Sequence, residues 1–188
     1  MANADIPRGA RPVYSGNGGP WNGNTMLCAI PAADGTATFV GDLVKLNGSS
    51  LGGIPYVIQA AATDALLGAI VGFEPDRTNL ALNYRLASTL RYCYVCADPD
   101  VIYEMQEDSV GNNLDDDMVG LSTDIVVGAG NTVSGASGME LDSSDTATAL
   151  GQMRIVGLVR REDNAIGANA KWLVRINEHQ LNAQTADI

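Results

Sequence analysis

Cys93-Tyr94-Val95-Cys96 has the C-x-x-C form that holds zinc or exchanges disulfides when it sits in a turn or at a helix start. Here it lies inside an apolar strand pattern. Side chains three apart on a strand point to opposite faces, so the two sulfurs are expected on opposite sides of a sheet, unable to share a metal. Cys28 is the remaining thiol, and an odd number of cysteines with no signal peptide reads as reduced, buried, apolar residues rather than a disulfide framework. His179 is the sole histidine, too few for a cupin-type metal centre, and no G-x-S-x-G elbow supplies it with a nucleophile. It is expected at the surface.

Gly128-Ala129-Gly130 begins a dinucleotide fingerprint but has Val133 where the third glycine belongs, and no helix pattern follows. No phosphate-cradling P-loop motif occurs. Asp115-Asp116-Asp117 before Gly120 suggests calcium, yet EF-hand positions five and twelve would be Val119 and Val126. That leaves a solvated acidic turn, with a sheet-loop calcium site near Asp115 to Asp117 as the alternative. In a chain with 22 carboxylates some pair falls at glycosidase spacing by accident, so carboxylate pairs carry no weight. These readings predict no enzyme, no cofactor and no resident metal.

The elements that would position any site are strands. Thr38 to Leu46 runs into the turn dipeptide Asn47-Gly48, and further β-rich runs are Tyr56 to Ala60, Leu67 to Phe73, Leu90 to Cys96, Val101 to Met105, Val119 to Val127, Gln152 to Val159 and Lys171 to Ile176. The last two are the clearest. Met153, Ile155 and Val159 alternate with Arg154 and Arg160, and Trp172, Val174 and Ile176 alternate with Lys171 and Arg175, as in a hairpin with one buried face. Helical periodicity is confined to about one turn at Thr63 to Leu67. The expectation is an all-β fold, a jelly-roll-like sandwich or barrel with an extended N-terminal arm. Residues 1–24, rich in Pro and Gly, form the arm and residues 25–188 the domain. An exposed acidic, Gly/Ser-rich lobe is expected at about 106–148, within which Gly128 to Asp145 suits a long loop better than core.

At 188 residues the chain can bury a core without staples. Its net charge of −11 repels phosphate backbones and anionic lipid, so nucleic acid is not an expected partner. Apolar runs fall short of the roughly 20 residues that span a bilayer, and the N-terminus lacks a signal pattern, which predicts a soluble product made in a cytoplasm, with no membrane partner. Charge is also sorted along the chain. No Lys or Arg occurs between Arg91 and Arg154, whereas Arg154, Arg160, Arg161, Lys171 and Arg175 gather near the C-terminus. Such patches serve either contacts between copies or pairing within one subunit.

Leu67-Gly68-Ala69-Ile70-Val71-Gly72-Phe73-Glu74-Pro75-Asp76, then Asn83-Tyr84-Arg85-Leu86-Ala87-Ser88-Thr89-Leu90-Arg91-Tyr92, then Asp98-Pro99-Asp100 with Glu104 to Asp108, resemble the capsid cement, or decoration, proteins that tailed phages encode beside the major capsid protein. Ser134 to Asp142 and Gly167 through Asn177 agree with the likeness, which spans residues 25 to 180. The resemblance implies a β-rich structural protein of the virion, made in the bacterial host cytoplasm and bound to the outer capsid surface. Its partners would be the major capsid protein and copies of itself, as a homodimer or homotrimer bridging capsomers. It brings no catalytic residues. Arg8, Arg11, Tyr14 and Trp21 of the arm are the candidate partner-binding residues, and the arm is expected to be disordered when free and ordered on the shell. The alternative function is a carbohydrate-binding β module on a virion or cell surface, using Tyr92, Tyr94 and Trp172.

Overall fold

A computed structural model describes residues 3–144 and 151–182 of the chain. The described residues are all-β, as the strand and turn pattern predicts. The strands are β1 (Arg11–Tyr14), β2 (Met26–Ile30), β3 (Leu43–Leu51), β4 (Ile54–Gln59), β5 (Gly68–Phe73), β6 (Arg91–Cys96), β7 (Ile102–Gln106), β8 (Ser122–Thr123), β9 (Ile125–Val126), β10 (Glu140–Leu141), β11 (Met153–Leu158) and β12 (Lys171–Ile176). β2, β4, β3, β5 and β6 close into a small barrel. β1, β7, β12, β11 and β8 form an open sheet in that order, and β9 pairs with β10. This connectivity departs from the paired Greek keys of a jelly roll.

Two cores follow from this layout. The barrel interior is filled by Cys28, Ile30, Val44, Val57, Leu67, Ile70, Cys93 and Val95. The larger core lies between the barrel wall and the inner face of the open sheet, where Tyr103, Met105, Met153, Ile155, Trp172, Val174 and Ile176 meet Leu43, Leu66, Ala69 and Cys96. Period-two alternation decides which residues go inward. The β11–β12 register, Met153 opposite Ile176 and Ile155 opposite Val174, confirms the long-looped hairpin, with an irregularity between Ile155 and Gly157 that the alternation did not reveal.

Several expectations are corrected. Asn47-Gly48 does not end its strand. It lies in a bulge within β3, and the reversal comes at Gly52-Gly53, whose φ values of 58° and 88° suit a two-residue hairpin turn. Thr63 to Leu67 contains no helix; Thr63 has φ 68° and Leu66 bridges to His179. The stretch from 106 onward is not an exposed lobe. Glu107, Leu114, Ile125, Ser137, Met139, Leu141 and Ser143 are all buried, while positions 145–148 lie outside the described residues. Its glycines serve close approach rather than flexibility, since a Cβ on Gly128 would sit 2.1 Å from the Gly138 carbonyl oxygen and one on Gly130 2.2 Å from the Phe39 ring.

The N-terminal arm is also not loose on this body. Asn3 exchanges hydrogen bonds with Ala165 and donates to the Ala168 carbonyl, the Ile6 N–H donates to the Gln106 side chain, and Gly9 and Ala10 are buried. β1 then pairs with β7, Arg11 opposite Glu104, and residues 15–19 turn so that the Trp21 N–H reaches the Val13 carbonyl at 3.0 Å. Composition favours disorder here because these partners lie up to 165 residues away.

The strap crosses the barrel where Gly9 (φ 65°) meets Gly41 (φ 97°), and the Ala10 N–H donates to the Gly41 carbonyl at 2.9 Å. A Cβ on Gly41 would lie 2.1 Å from the Arg8 carbonyl oxygen. Gly41→Ala is therefore expected to cost about 2 kcal/mol, from the left-handed backbone and the displaced strap together. It should also speed amide exchange at Ala10. Unchanged exchange at Ala10 would show that the strap is held elsewhere.

Candidate docking surface

The residues of chemical interest go to structural places. Cys93 opposes Cys28 across β2 and β6 inside the barrel, while Cys96 faces the other core, so strand geometry separates the C-x-x-C sulfurs as expected. Burial pushes the Cys28 thiol up to about 11 and raises those of Cys93 and Cys96, which leaves little reactive thiolate. His179 is a correction, being 1% exposed where a surface residue was expected. Its Nδ1 accepts the Leu181 N–H at 3.0 Å, and burial lowers its pKa, so it serves as a neutral packing residue. Asp115 caps a 3-10 turn at Asp116–Met118 by accepting the Asp117 N–H. Among the described residues, no group of three or more His, Cys, Asp or Glu side chains is placed to hold a metal ion.

Two buried arginines fix the loop that joins β5 to β6. Arg85 is wholly buried and its guanidinium donates to the carbonyls of Thr36, Pro31, Asp34 and Thr89, with the Asp34 carboxylate 3.6 Å away. Arg91 donates to the carbonyls of Glu74, Leu82 and Tyr84, and its guanidinium carbon stands 5.1 Å from the centre of the Phe73 ring. Phe39 and Tyr84 stack at 4.9 Å. The loop carries Leu80, 81% exposed, on this rigid base.

The more extended feature is the outer face of the open sheet. Where the inner face is fully packed, the outer face presents Val13 and Tyr14 from β1, Val156 from β11 and Leu173 from β12, with Val119 and Ile166 from flanking loops. These line an open groove of about 870 Å³, in which Tyr14, Val119, Val156 and Ile166 are each more than two-fifths exposed. Beside it, across Glu104 and Arg161, lies a hollow of about 470 Å³ bordered by Arg8, Arg11, Lys171 and the strap. The irregularity near Val156 lies along the groove, and no sequence pattern foretells it.

Of the four arm residues singled out from the sequence, Arg8, Arg11 and Tyr14 thus converge on this face. Trp21 does not reach it; it is half-buried and packs against the larger core. The C-terminal basic cluster reaches the same face and is partly used within the subunit. Arg161 grips both oxygens of Glu104 at 3.0 and 3.2 Å and reaches Asp163, and Arg175 lies 3.5 Å from Asp100. Of the aromatic trio, Trp172 is fully buried in the core, while Tyr92 and Tyr94 face outward on the barrel, with Tyr94 37% exposed.

No helix among the described residues is long and apolar enough to cross a membrane. No protein-family model, curated protein or solved structure matches the chain.

Proposed function

We propose that this chain is a structural protein of a tailed-phage virion, bound as a homo-oligomer to the outer surface of the icosahedral capsid, where it cements neighbouring capsomers against internal DNA pressure. The observation that carries this reading is the uncovered apolar groove on the outer sheet face. A packed β body gains nothing in its own stability from exposing Tyr14, Val156 and Ile166 together on one side, whereas a partner surface gains by covering them. The resemblance to cement proteins supplies the identity of the partner, the major capsid protein. The site needs no chemistry to work. Contacts that form only with the assembled lattice stabilise it by mass action, and several attachments per oligomer add avidity.

The test is sedimentation of the purified protein with empty, expanded heads built from the coat protein encoded beside it. Wild type is expected to co-sediment at a fixed ratio to the coat protein and to raise the temperature at which the heads burst. The variant Val156→Asp, on an exposed position, is expected to fold normally and to lose most of that binding, because a carboxylate would be buried in an apolar contact. Absence of wild-type protein from the sedimented heads overturns the reading.

A further inference from the structure

The sheet face carries a second signal besides its apolar groove. The chain has twice as many carboxylates as cations, 22 against 11. Yet Arg8, Arg11, Arg160 and Lys171 make no ion pair among the described residues, and all of them border the groove or the adjoining hollow. They come from β1, the strap, the β11–β12 loop and β12, so the fold gathers them from both ends of the sequence. Arg161 is bonded to Glu104, and both border the groove and the hollow.

From this juxtaposition we infer that the outer sheet face docks a carboxylate-bearing protein surface of the shell, with acidic side chains meeting Arg8, Arg11, Arg160 and Lys171 and an aliphatic segment filling the groove between Tyr14 and Leu173. The inference rests on the capsid reading and adds the chemistry of the partner and the orientation in which the protein sits. A nucleic acid fits less well, because a phosphate backbone offers nothing to the apolar groove and the chain's net charge of −11 opposes its approach. Complementary charge at the rim sets orientation and speeds encounter, and it makes binding sensitive to salt.

The sequence permits a direct test, because Lys45 and Lys171 are the only lysines. Lys45 is on the barrel, 2.7 Å from its own Asp64. A carbodiimide activates a carboxylate, which a nearby lysine amine then attacks to form an amide as the urea leaves, so ion pairs become mass-spectrometric cross-links. Heads decorated with the full-length protein are treated in this way. The expected product joins Lys171 to an aspartate or glutamate of the coat protein.

Lys171→Glu and Arg160→Glu are each expected to weaken head binding at least about tenfold at low salt, with the melting temperature unchanged. Two variants guard against misfolding of either one, since Arg160 lies in an exposed loop. Several results overturn the inference while leaving the capsid reading intact. These are co-sedimentation that both reversals leave unchanged, a cross-link only through Lys45, or a Lys171 cross-link only to a second copy of the chain. A Lys171-dependent shift of duplex DNA in a gel also overturns it. Failure of wild type to co-sediment at all removes both.

Discussion

Arg85→Met is expected to lower the free energy of unfolding by about 4 kcal/mol. The guanidinium is wholly buried and donates to carbonyls on two separate stretches, Pro31, Asp34 and Thr36 in the loop between β2 and β3, and Thr89 before β6. Its own backbone bonds reciprocally with Thr38, at 2.8 and 3.0 Å. Methionine fills much of the volume but donates nothing, so the Thr36 and Thr89 carbonyls lose this donor and the Asp34 carboxylate loses its counter-charge, while the Pro31 and Asp34 carbonyls keep the N–H groups of Asp34 and Ser88. Each orphaned group costs about 1 kcal/mol or more. The corresponding loss in melting temperature is roughly 10 °C for a chain of this size.

Arg85→Lys keeps the charge without the planar fork and is expected to recover less than half of the loss. Urea unfolding followed by tryptophan fluorescence measures both variants. A loss below about 1 kcal/mol for Arg85→Met would mean that water reaches these carbonyls and the arginine is not the brace.

The same arginine illustrates what a sequence shows and what it hides. An arginine between Tyr84 and Leu86 carries no local sign that it will be buried, because its acceptors are backbone carbonyls up to 54 residues away. Strand identity is a local property, and it was readable. Alternation along Met153 to Ile155 and Lys171 to Ile176 places each side chain on the correct face, whereas the slip after Ile155 sets Leu158 opposite Trp172 and packs it against the larger core; the same reasoning separates Cys93 from Cys96. Long-range pairing was not readable. Asn47-Gly48 has the composition of a reversal, but the β3–β4 register carries the strand past it to Gly52-Gly53. Glycines in the stretch from Gly128 to Gly138 resemble those of a flexible loop, although they are there to let backbones cross. The arm lacks apolar periodicity and still packs, through side-chain amides and one glycine crossing.

The proposed docking face was half legible. Its basic residues near the C-terminus stand out in the sequence, as do Arg8, Arg11 and Tyr14 in the arm. That the two groups share a face depends on β1 pairing with β7 and β7 with β12, which places Arg11 opposite Glu104 and Glu104 opposite Leu173. No local pattern specifies that pairing. It also explains why Trp21, which looks like the strongest apolar anchor of the arm, is spent on the core, since the turn after β1 returns it to the body.

Glu107→Gln is expected to make the protein more stable at pH 8 by up to about 3 kcal/mol and to change little at pH 4. Glu107 is fully buried, its Oε2 accepts the Leu114 N–H at 2.5 Å, and burial pushes its carboxyl up from 4.5 to about 7. Its neighbour Asp108 raises it further, while the N–H groups of Leu114, Ala170 and Trp172 pull it down. Between these two values the native state holds a proton that the unfolded chain has released. Stability from this group is therefore full below about pH 4.5 and is lost as pH rises through about 7.

Asp42, Glu140 and Glu178 are raised by burial and act in the same sense. His179 acts oppositely, because its pKa is lowered on folding and its contribution is lost as pH falls. The difference between wild type and Glu107→Gln at each pH cancels those other groups to first order. The amide keeps an acceptor for the Leu114 N–H, so the comparison isolates the charge. Urea midpoints from pH 4 to pH 8 should show the variant gaining steadily across the neutral range. Parallel profiles for the two proteins would mean that Glu107 is already ionised in the native state, with a partner that offsets its burial.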